Sequence, residues 1–140
     1  MTEIRGEGIQ ADTLEIKQLR IGHHDYKVIQ KDGLKNEDKH DMYGQIDYDT
    51  KEIELNKEYT QNEQVMQNVL IHEVVHGLFH ESALFDEAHN EELVERLSNT
   101  LHGFLKDNID VLNAVYGSDE EIIEVRGYDG KLISKERVIH

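Results

Sequence analysis

Residues 65–80 read VMQNVLIHEVVHGLFH, and the spacing of their apolar side chains predicts a long helix. Apolar residues three or four positions apart share one face of an α-helix, and here they are Val65, Val69, Leu70, Val74 and Leu78. Upstream, Thr60 followed by Glu63 has the spacing of a capping box, which makes Thr60 the predicted N-cap. The helix is therefore expected to begin just after Thr60 and to end at about His80.

Four short strands are predicted ahead of this helix, arranged as two hairpins. The first hairpin joins residues 13–19 to residues 26–29 through a turn around Gly22. The second joins residues 43–48 to residues 52–55, where apolar and acidic side chains alternate. Alternation predicts a sheet with one buried face and one acidic face in contact with water. We therefore expect a short antiparallel sheet packed on the long helix.

The chain beyond the long helix predicts a loop, a second helix and a less regular tail. Residues 82–89 are expected to form the loop, and the second helix is expected from about Asn90 to Lys106. A short helix at residues 109–116 is expected to end at Gly117, with a small hairpin or a loose tail beyond it. Strands followed by helices predict an α+β fold.

The length of the chain suits a single domain. Its 140 residues can enclose one modest hydrophobic core, so we expect one domain over residues 1–140. The packed core is expected at about residues 14–107. Residues 108–140 are expected to form a C-terminal extension of unknown role.

Charge and composition narrow the range of partners. The net charge of −15 repels phosphate backbones and attracts cations, so we expect no nucleic-acid partner. Cysteine is absent, which excludes disulfides, thiolate metal ligands and a cysteine nucleophile. No apolar run approaches the ~20 residues of a membrane span, and the first residues do not resemble a leader peptide. We therefore expect no membrane partner and a cytoplasmic location.

The predicted long helix carries a candidate metal-binding motif. His72 and His76 lie one turn apart on the same helix face, so both imidazoles can reach one cation. Glu73 points slightly around the helix and can instead take a proton from a water molecule beside that cation. The alternative interpretation is an exposed polar stripe on a long helix. Burial of apolar neighbours within the same capped helix favours the metal site.

A catalytic zinc ion needs a third protein ligand, and the second helix offers three glutamates for this role. Glu91 lies on the predicted inner face and is the chosen ligand. Glu95 lies one turn further on, as a supporting acid or a substitute ligand, while Glu92 lies on the outer shoulder as a further alternative. His80 is too far from His72 to share the metal, so we expect it to line the pocket or to bond a backbone group.

The stretch Ile71-His72-Glu73-Val74-Val75-His76 resembles the active-site helix of zincin metallopeptidases. Residues 90–95 are similar to the glutamate helix of the gluzincins, in which a ligand glutamate is followed four residues later by an acid that orients a histidine. The compact size and the trailing His80 resemble the small ImmA/IrrE-like metallo-endopeptidases of phages and mobile elements. That family has an Ala-Asn pair where this chain has Val94-Glu95, which leaves the choice among the three glutamates open.

The resemblance implies a zinc-dependent peptidase from a phage or mobile element that acts on a protein or peptide substrate. It implies Zn²⁺ held by His72, His76 and Glu91, with Glu73 as the catalytic base. It also implies an edge strand above the metal, for which residues 52–55 are the candidate. The resemblance does not identify the hydrogen-bond donor that stabilises the oxyanion. The candidates are Tyr43, Tyr48 and His80.

Two other functions stay open at this point. One is a catalytically silent module of the same fold that binds or regulates a host protein. The other is a metal-free helical interaction protein, in which the histidine spacing is accidental. Metal content distinguishes the metal-free interaction protein from the peptidase and the silent module. Turnover of a substrate distinguishes the peptidase from the silent module.

Overall fold

The computed structural model describes residues 13–117, 120–126 and 131–139. The chain divides into two compact units, residues 1–102 and residues 103–140. The first unit holds a four-stranded sheet and helices, which confirms the α+β class. The predicted lead-in at residues 1–12 lies outside the described residues.

The sheet consists of β1 (Thr13–Ile21), β2 (His24–Lys31), β3 (Gly44–Asp47) and β4 (Glu52–Asn56). Both predicted hairpins are present, but the sheet order is β1-β2-β4-β3 and β2 runs parallel to β4. The expectation of a purely antiparallel sheet was therefore wrong. The connection after β2 takes the chain past the position of β4, so β3 forms on the outside and β4 returns between β3 and β2.

This strand order also corrects two expectations about β4. The strand is central, so the edge of the sheet on this side is β3 and not residues 52–55. The acidic face of β4 is shielded from water at Glu54, which is buried and lies 3.0 Å from the ammonium group of Lys31, whereas Glu52 is partly exposed. Asn56 is buried as well, and its amide donates to the carbonyl oxygens of Leu34 and Met42 in the loop that covers it.

The main core lies between the sheet and one face of helix α1 (Glu63–Glu81). Its buried residues come from the first hairpin and from β4: Ile21, Tyr26, Val28, Ile53 and Leu55. Partly buried apolar residues of α1 pack against them, which explains the helical spacing seen in the sequence: Met66, Val69, Leu70 and Val74. Burial of this face fixes the rotation of α1 about its axis.

The N-cap of α1 is Asn62, so the prediction of Thr60 was wrong. The Asn62 side chain accepts hydrogen bonds from the backbone of Gln64 and Val65, as an N-cap does. The Thr60 hydroxyl is buried and donates instead to the carbonyl oxygen of Asn56, at 2.8 Å. Thr60 therefore belongs to the turn after β4, and its hydroxyl is not available to cap the helix.

Two helices follow α1. The predicted loop at residues 82–89 contains a single helical turn, α2 (Phe85–Ala88), and α3 (Glu91–Tyr116) begins where the second helix was expected. The Asn90 side chain accepts a hydrogen bond from the backbone N–H of Leu93, as an N-cap does. Val94, in the first turn of α3, is buried. Among the described residues, no helix combines the length and apolar character needed to cross a membrane.

The second unit begins within α3, at Gly103, and further along the same helix Asn108 departs from helical backbone angles. The expected separate helix at residues 109–116 is thus the last part of α3, beyond this irregular position. An antiparallel hairpin of β5 (Glu120–Arg126) and β6 (Leu132–Ile139) follows, in agreement with the predicted hairpin. The predicted turn at residues 127–130 lies outside the described residues.

Candidate metal centre

Three metal-ligating side chains converge where α1 meets the first turn of α3. His72, His76 and Glu91 each offer one atom, and these atoms lie within 4.8 Å of one another. The Nε2 atom of His72 lies 3.2 Å from one Glu91 carboxylate oxygen, and the Nε2 atom of His76 lies 3.1 Å from the other. Donor atoms held ~2.0–2.1 Å from one tetrahedral ion are ~3.3 Å apart, so the spacing suits a single ion.

The outer nitrogen of each imidazole has an acceptor of its own. The Nδ1 atom of His76 lies 2.6 Å from the carbonyl oxygen of Ala88, the last residue of α2. The Nδ1 atom of His72 lies 3.2 Å from a carboxylate oxygen of Glu95. Histidines that bind metals almost always donate their second N–H to a carbonyl or a carboxylate, which fixes the ring. Both rings therefore carry the supporting contact expected of a metal ligand.

These contacts also indicate the charge of a ligand that would suit the space between the three side chains. A carbonyl oxygen only accepts, so the Nδ1 atom of His76 bears the hydrogen and a neutral ring has its lone pair on Nε2. That lone pair faces a Glu91 carboxylate oxygen, and His72 faces carboxylates on both sides. Two imidazolium ions with ring centroids 5.0 Å apart repel each other. One divalent cation among the three side chains would satisfy both lone pairs and the carboxylate together.

The three glutamates that the sequence left open occupy different positions. Glu91 faces both histidines, and Glu95 contacts His72 on its outer nitrogen. Glu92 points elsewhere and pairs with Arg96 at 2.9 Å, where both side chains are exposed. The geometry thus favours Glu91 as the third ligand and Glu95 as its support.

Glu73 is buried beside this cluster, with 7% of its surface exposed. Burial, followed by the negative charge of Glu91, raises the pKa of Glu73 to about 8. A cation at the cluster would oppose this shift, because it favours the charged carboxylate. Gly44 on β3 lies close to this face of α1: a Cβ at Gly44 would clash with Val69 at 2.7 Å and would be in ordinary contact with the Glu73 Cγ at 3.5 Å.

The cluster opens into a cleft of about 420 Å³ between β3, α1 and the segment that joins α2 to α3. Its walls combine the cluster with apolar and amide side chains, among them Met42, Gln45, Ile46, Tyr48 and His89. His89 was missed in the sequence because nothing in its spacing marks it. Its Nδ1 atom lies 2.7 Å from the carbonyl oxygen of Phe85, so the one-turn helix α2 is what places it.

His80 is not among the residues that line the cleft, but it contacts Tyr48, which does line it. Its ring stacks on Tyr48, with centroids 3.9 Å apart and planes 3° from parallel. The expected backbone hydrogen bond is not formed, since His80 Nδ1 is buried without a hydrogen-bond partner among the described residues. His80 therefore supports a residue that lines the cleft.

Comparison of the chain with protein-family models, with curated proteins and with solved structures found no match. The resemblance to zincin metallopeptidases accordingly stays a prediction from residues 71–80 and 90–95.

Proposed function

We propose that this protein is a zinc-dependent peptidase whose metal lies among His72, His76 and Glu91. The observation that carries the proposal is the convergence of these three donor atoms within 4.8 Å of one another, at the floor of an open cleft. Two imidazoles and one carboxylate form a donor set that catalytic zinc sites use, with the fourth position left for water or substrate. Glu91 is exposed, which leaves the cluster accessible from the cleft.

The buried carboxylate of Glu73 distinguishes a hydrolytic site from a purely structural one. A zinc ion at the cluster would polarise the scissile carbonyl and bring the pKa of its water towards ~7. Glu73 takes the proton of the attacking water and passes it to the leaving amine. A structural zinc site has four protein ligands and no need of this buried acid.

The edge strand β3 gives the cleft a surface suited to an extended peptide. Gly44, Gln45 and Ile46 of this strand line the cleft, and among the described strands only β4 pairs with β3. An extended substrate can add to such an edge by main-chain hydrogen bonds, with its side chains in adjoining pockets. Its scissile bond would then lie in the cleft that His72 and His76 also line. The substrate class is therefore a segment of protein or peptide in extended conformation.

Hydrolysis is tested with the zinc-loaded full-length protein and a library of proteome-derived peptides, with cleavage products identified by mass spectrometry. The wild type is expected to cleave a subset of peptides, and Glu73→Gln is expected to lose cleavage while it keeps its zinc. The matched control is Glu92→Gln, the same substitution on the outer face of α3, which should cleave as the wild type does. Equal cleavage by Glu73→Gln would contradict the mechanism. A zinc-loaded wild type that cleaves nothing would indicate a binding module instead.

A further inference from the structure

The site described so far lacks a donor for the negative charge that develops on the carbonyl oxygen during hydrolysis. The sequence offers Tyr43, Tyr48 and His80 for this role. Tyr43 is 57% exposed and its ring stacks on Tyr59, with centroids 4.9 Å apart. His80 lies behind Tyr48. Of the three, Tyr48 is the residue that lines the cleft together with the metal cluster.

The hydroxyl group of Tyr48 is available as a donor. Tyr26 and Tyr59 donate their hydroxyls to Glu81 and Asp41, at 2.6 and 2.7 Å. Tyr48, although partly buried, has no hydrogen bond from its hydroxyl to any described residue. The hydroxyl of a partly buried tyrosine that lines a cleft and has no partner among the described residues is free to donate to a bound ligand.

The ring of Tyr48 is held in place before any ligand binds. His80 stacks on one face of the ring, and His80 is itself in edge contact with Phe85 at 5.2 Å. His89 meets Tyr48 edge-on, with centroids 6.5 Å apart. The backbone is fixed as well, since the Asp47 carboxylate accepts hydrogen bonds from the backbone of the turn that follows Tyr48. A donor fixed in advance stabilises developing charge most effectively.

We propose that Tyr48 is a catalytic residue that donates a hydrogen bond to the carbonyl oxygen of the substrate, and that His80 is the residue that positions it. The hydroxyl proton stays on Tyr48 throughout, so this step transfers no atom. Burial, followed by the charges of Glu73 and Glu91, raises the pKa of Tyr48 to about 12, which keeps the hydroxyl protonated at neutral pH. The inference rests on the proposed function, because it requires a metal beside the carbonyl.

The test uses the cobalt(II)-loaded full-length protein and acetohydroxamic acid, whose carbonyl oxygen binds the metal as the substrate carbonyl would. Binding is followed by the visible absorption of cobalt, and the metal content of each variant is measured by mass spectrometry. Tyr48→Phe is expected to keep one metal and to bind the hydroxamate about tenfold more weakly, the effect of one lost hydrogen bond. Tyr43→Phe is the matched control and is expected to bind it as the wild type does.

His80 is tested by loss and rescue in the same titration. His80→Ala removes the stacked ring and is expected to weaken hydroxamate binding, whereas His80→Phe restores a ring and is expected to recover it. If His80→Ala only disturbed the structure around the cluster, its metal content would fall as well. If it impaired folding in general, His80→Phe would not recover hydroxamate binding.

The outcomes separate the two proposals. If the wild type binds cobalt and hydroxamate but Tyr48→Phe binds the hydroxamate equally well, the assignment of Tyr48 is overturned and the metal site stands. If His80→Phe binds as weakly as His80→Ala, the positioning role of His80 is overturned. If the wild type takes up no metal, the proposed function fails first.

Discussion

The Nδ1 atom of His76 lies 2.6 Å from the carbonyl oxygen of Ala88, twelve residues further along the chain. This contact joins α1 to the one-turn helix α2 and turns the Nε2 atom of His76 towards Glu91. His72 is held in the same manner by Glu95. The candidate ligands are thus oriented by the protein itself, so metal binding needs little rearrangement.

The three glutamates at the start of α3 predict a graded effect on metal affinity. Glu91→Gln is expected to abolish zinc binding at micromolar zinc, because it removes the carboxylate that faces both histidines. Glu95→Gln is expected to weaken zinc binding about 10- to 100-fold, as loss of a supporting partner does. Glu92→Gln is expected to have no effect, because Glu92 pairs with Arg96. Competition with a chromophoric zinc chelator measures all three, and a loss in Glu92→Gln as large as in Glu91→Gln would contradict the assignment.

Gly44 predicts a steric limit on the approach of α1 to the edge strand. In Gly44→Ala, the new Cβ would lie 2.7 Å from the Val69 side chain and 3.0 Å from the carbonyl oxygen of Glu54, so the side chain or the backbone around it must shift. The expected cost is about 1–3 kcal/mol of unfolding free energy, as for other overpacked positions. Urea unfolding measures it, with Gly103→Ala as the control.

The control for Gly44→Ala is chosen because Gly103 lies in α3 with open space around its Cβ position. Alanine in a helix interior is about 0.5–1 kcal/mol more favourable than glycine, so this variant is expected to be at least as stable as the wild type. Equal stability of Gly44→Ala and the wild type would show that β3 and α1 are not packed as described.

Glu81, at the end of α1, predicts a pH-dependent contribution to stability. Its carboxylate accepts hydrogen bonds from Tyr26 at 2.6 Å, His24 at 2.8 Å and Lys51 at 3.1 Å. The Tyr26 bond first, and then those of His24 and Lys51, lower the pKa of Glu81 from 4.5 to about 2. Because the folded pKa is the lower one, the stabilisation is complete above pH ~4.5 and is lost as the pH falls towards ~2.

The variant that checks this is Glu81→Gln, which is expected to lose about 1.5–3 kcal/mol of unfolding free energy at pH 7, the range for hydrogen bonds to a charged group. The difference from the wild type should shrink steadily below pH 4.5. Glu37→Gln is the control, since Glu37 is exposed in the loop after β2. A difference that stays constant from pH 7 to pH 3 would contradict the role of the ionised carboxylate.

Features that depend on local spacing could be predicted from the sequence. The approximate extent of α1, the two hairpins and the shared face of His72 and His76 all follow from periodicity within about one helix or hairpin. The parallel pairing of β2 with β4 could not, because it depends on where a long connection takes the chain. Thr60 and Asn62 both carry N-cap side chains, and the carbonyl of Asn56 decides between them by binding the Thr60 hydroxyl.

The rest of the candidate site depends on tertiary geometry. Glu91, Glu92 and Glu95 lie within little more than one helical turn, so the choice among them is set by the rotation of α3 about its axis. Burial of Val94 fixes that rotation. His89 and the carbonyl of Ala88 are placed by α2, whose four residues are too few for any periodic pattern.

Metal analysis by mass spectrometry on protein purified without chelator decides whether the cluster is a zinc site. The wild type and the control His23→Ala, altered in the exposed turn between β1 and β2, are each expected to hold about one zinc per chain. His76→Ala is expected to hold none, because it removes the ligand that Ala88 orients. No zinc in the wild type after zinc is supplied, or equal zinc in His76→Ala, would contradict the metal centre and with it the peptidase.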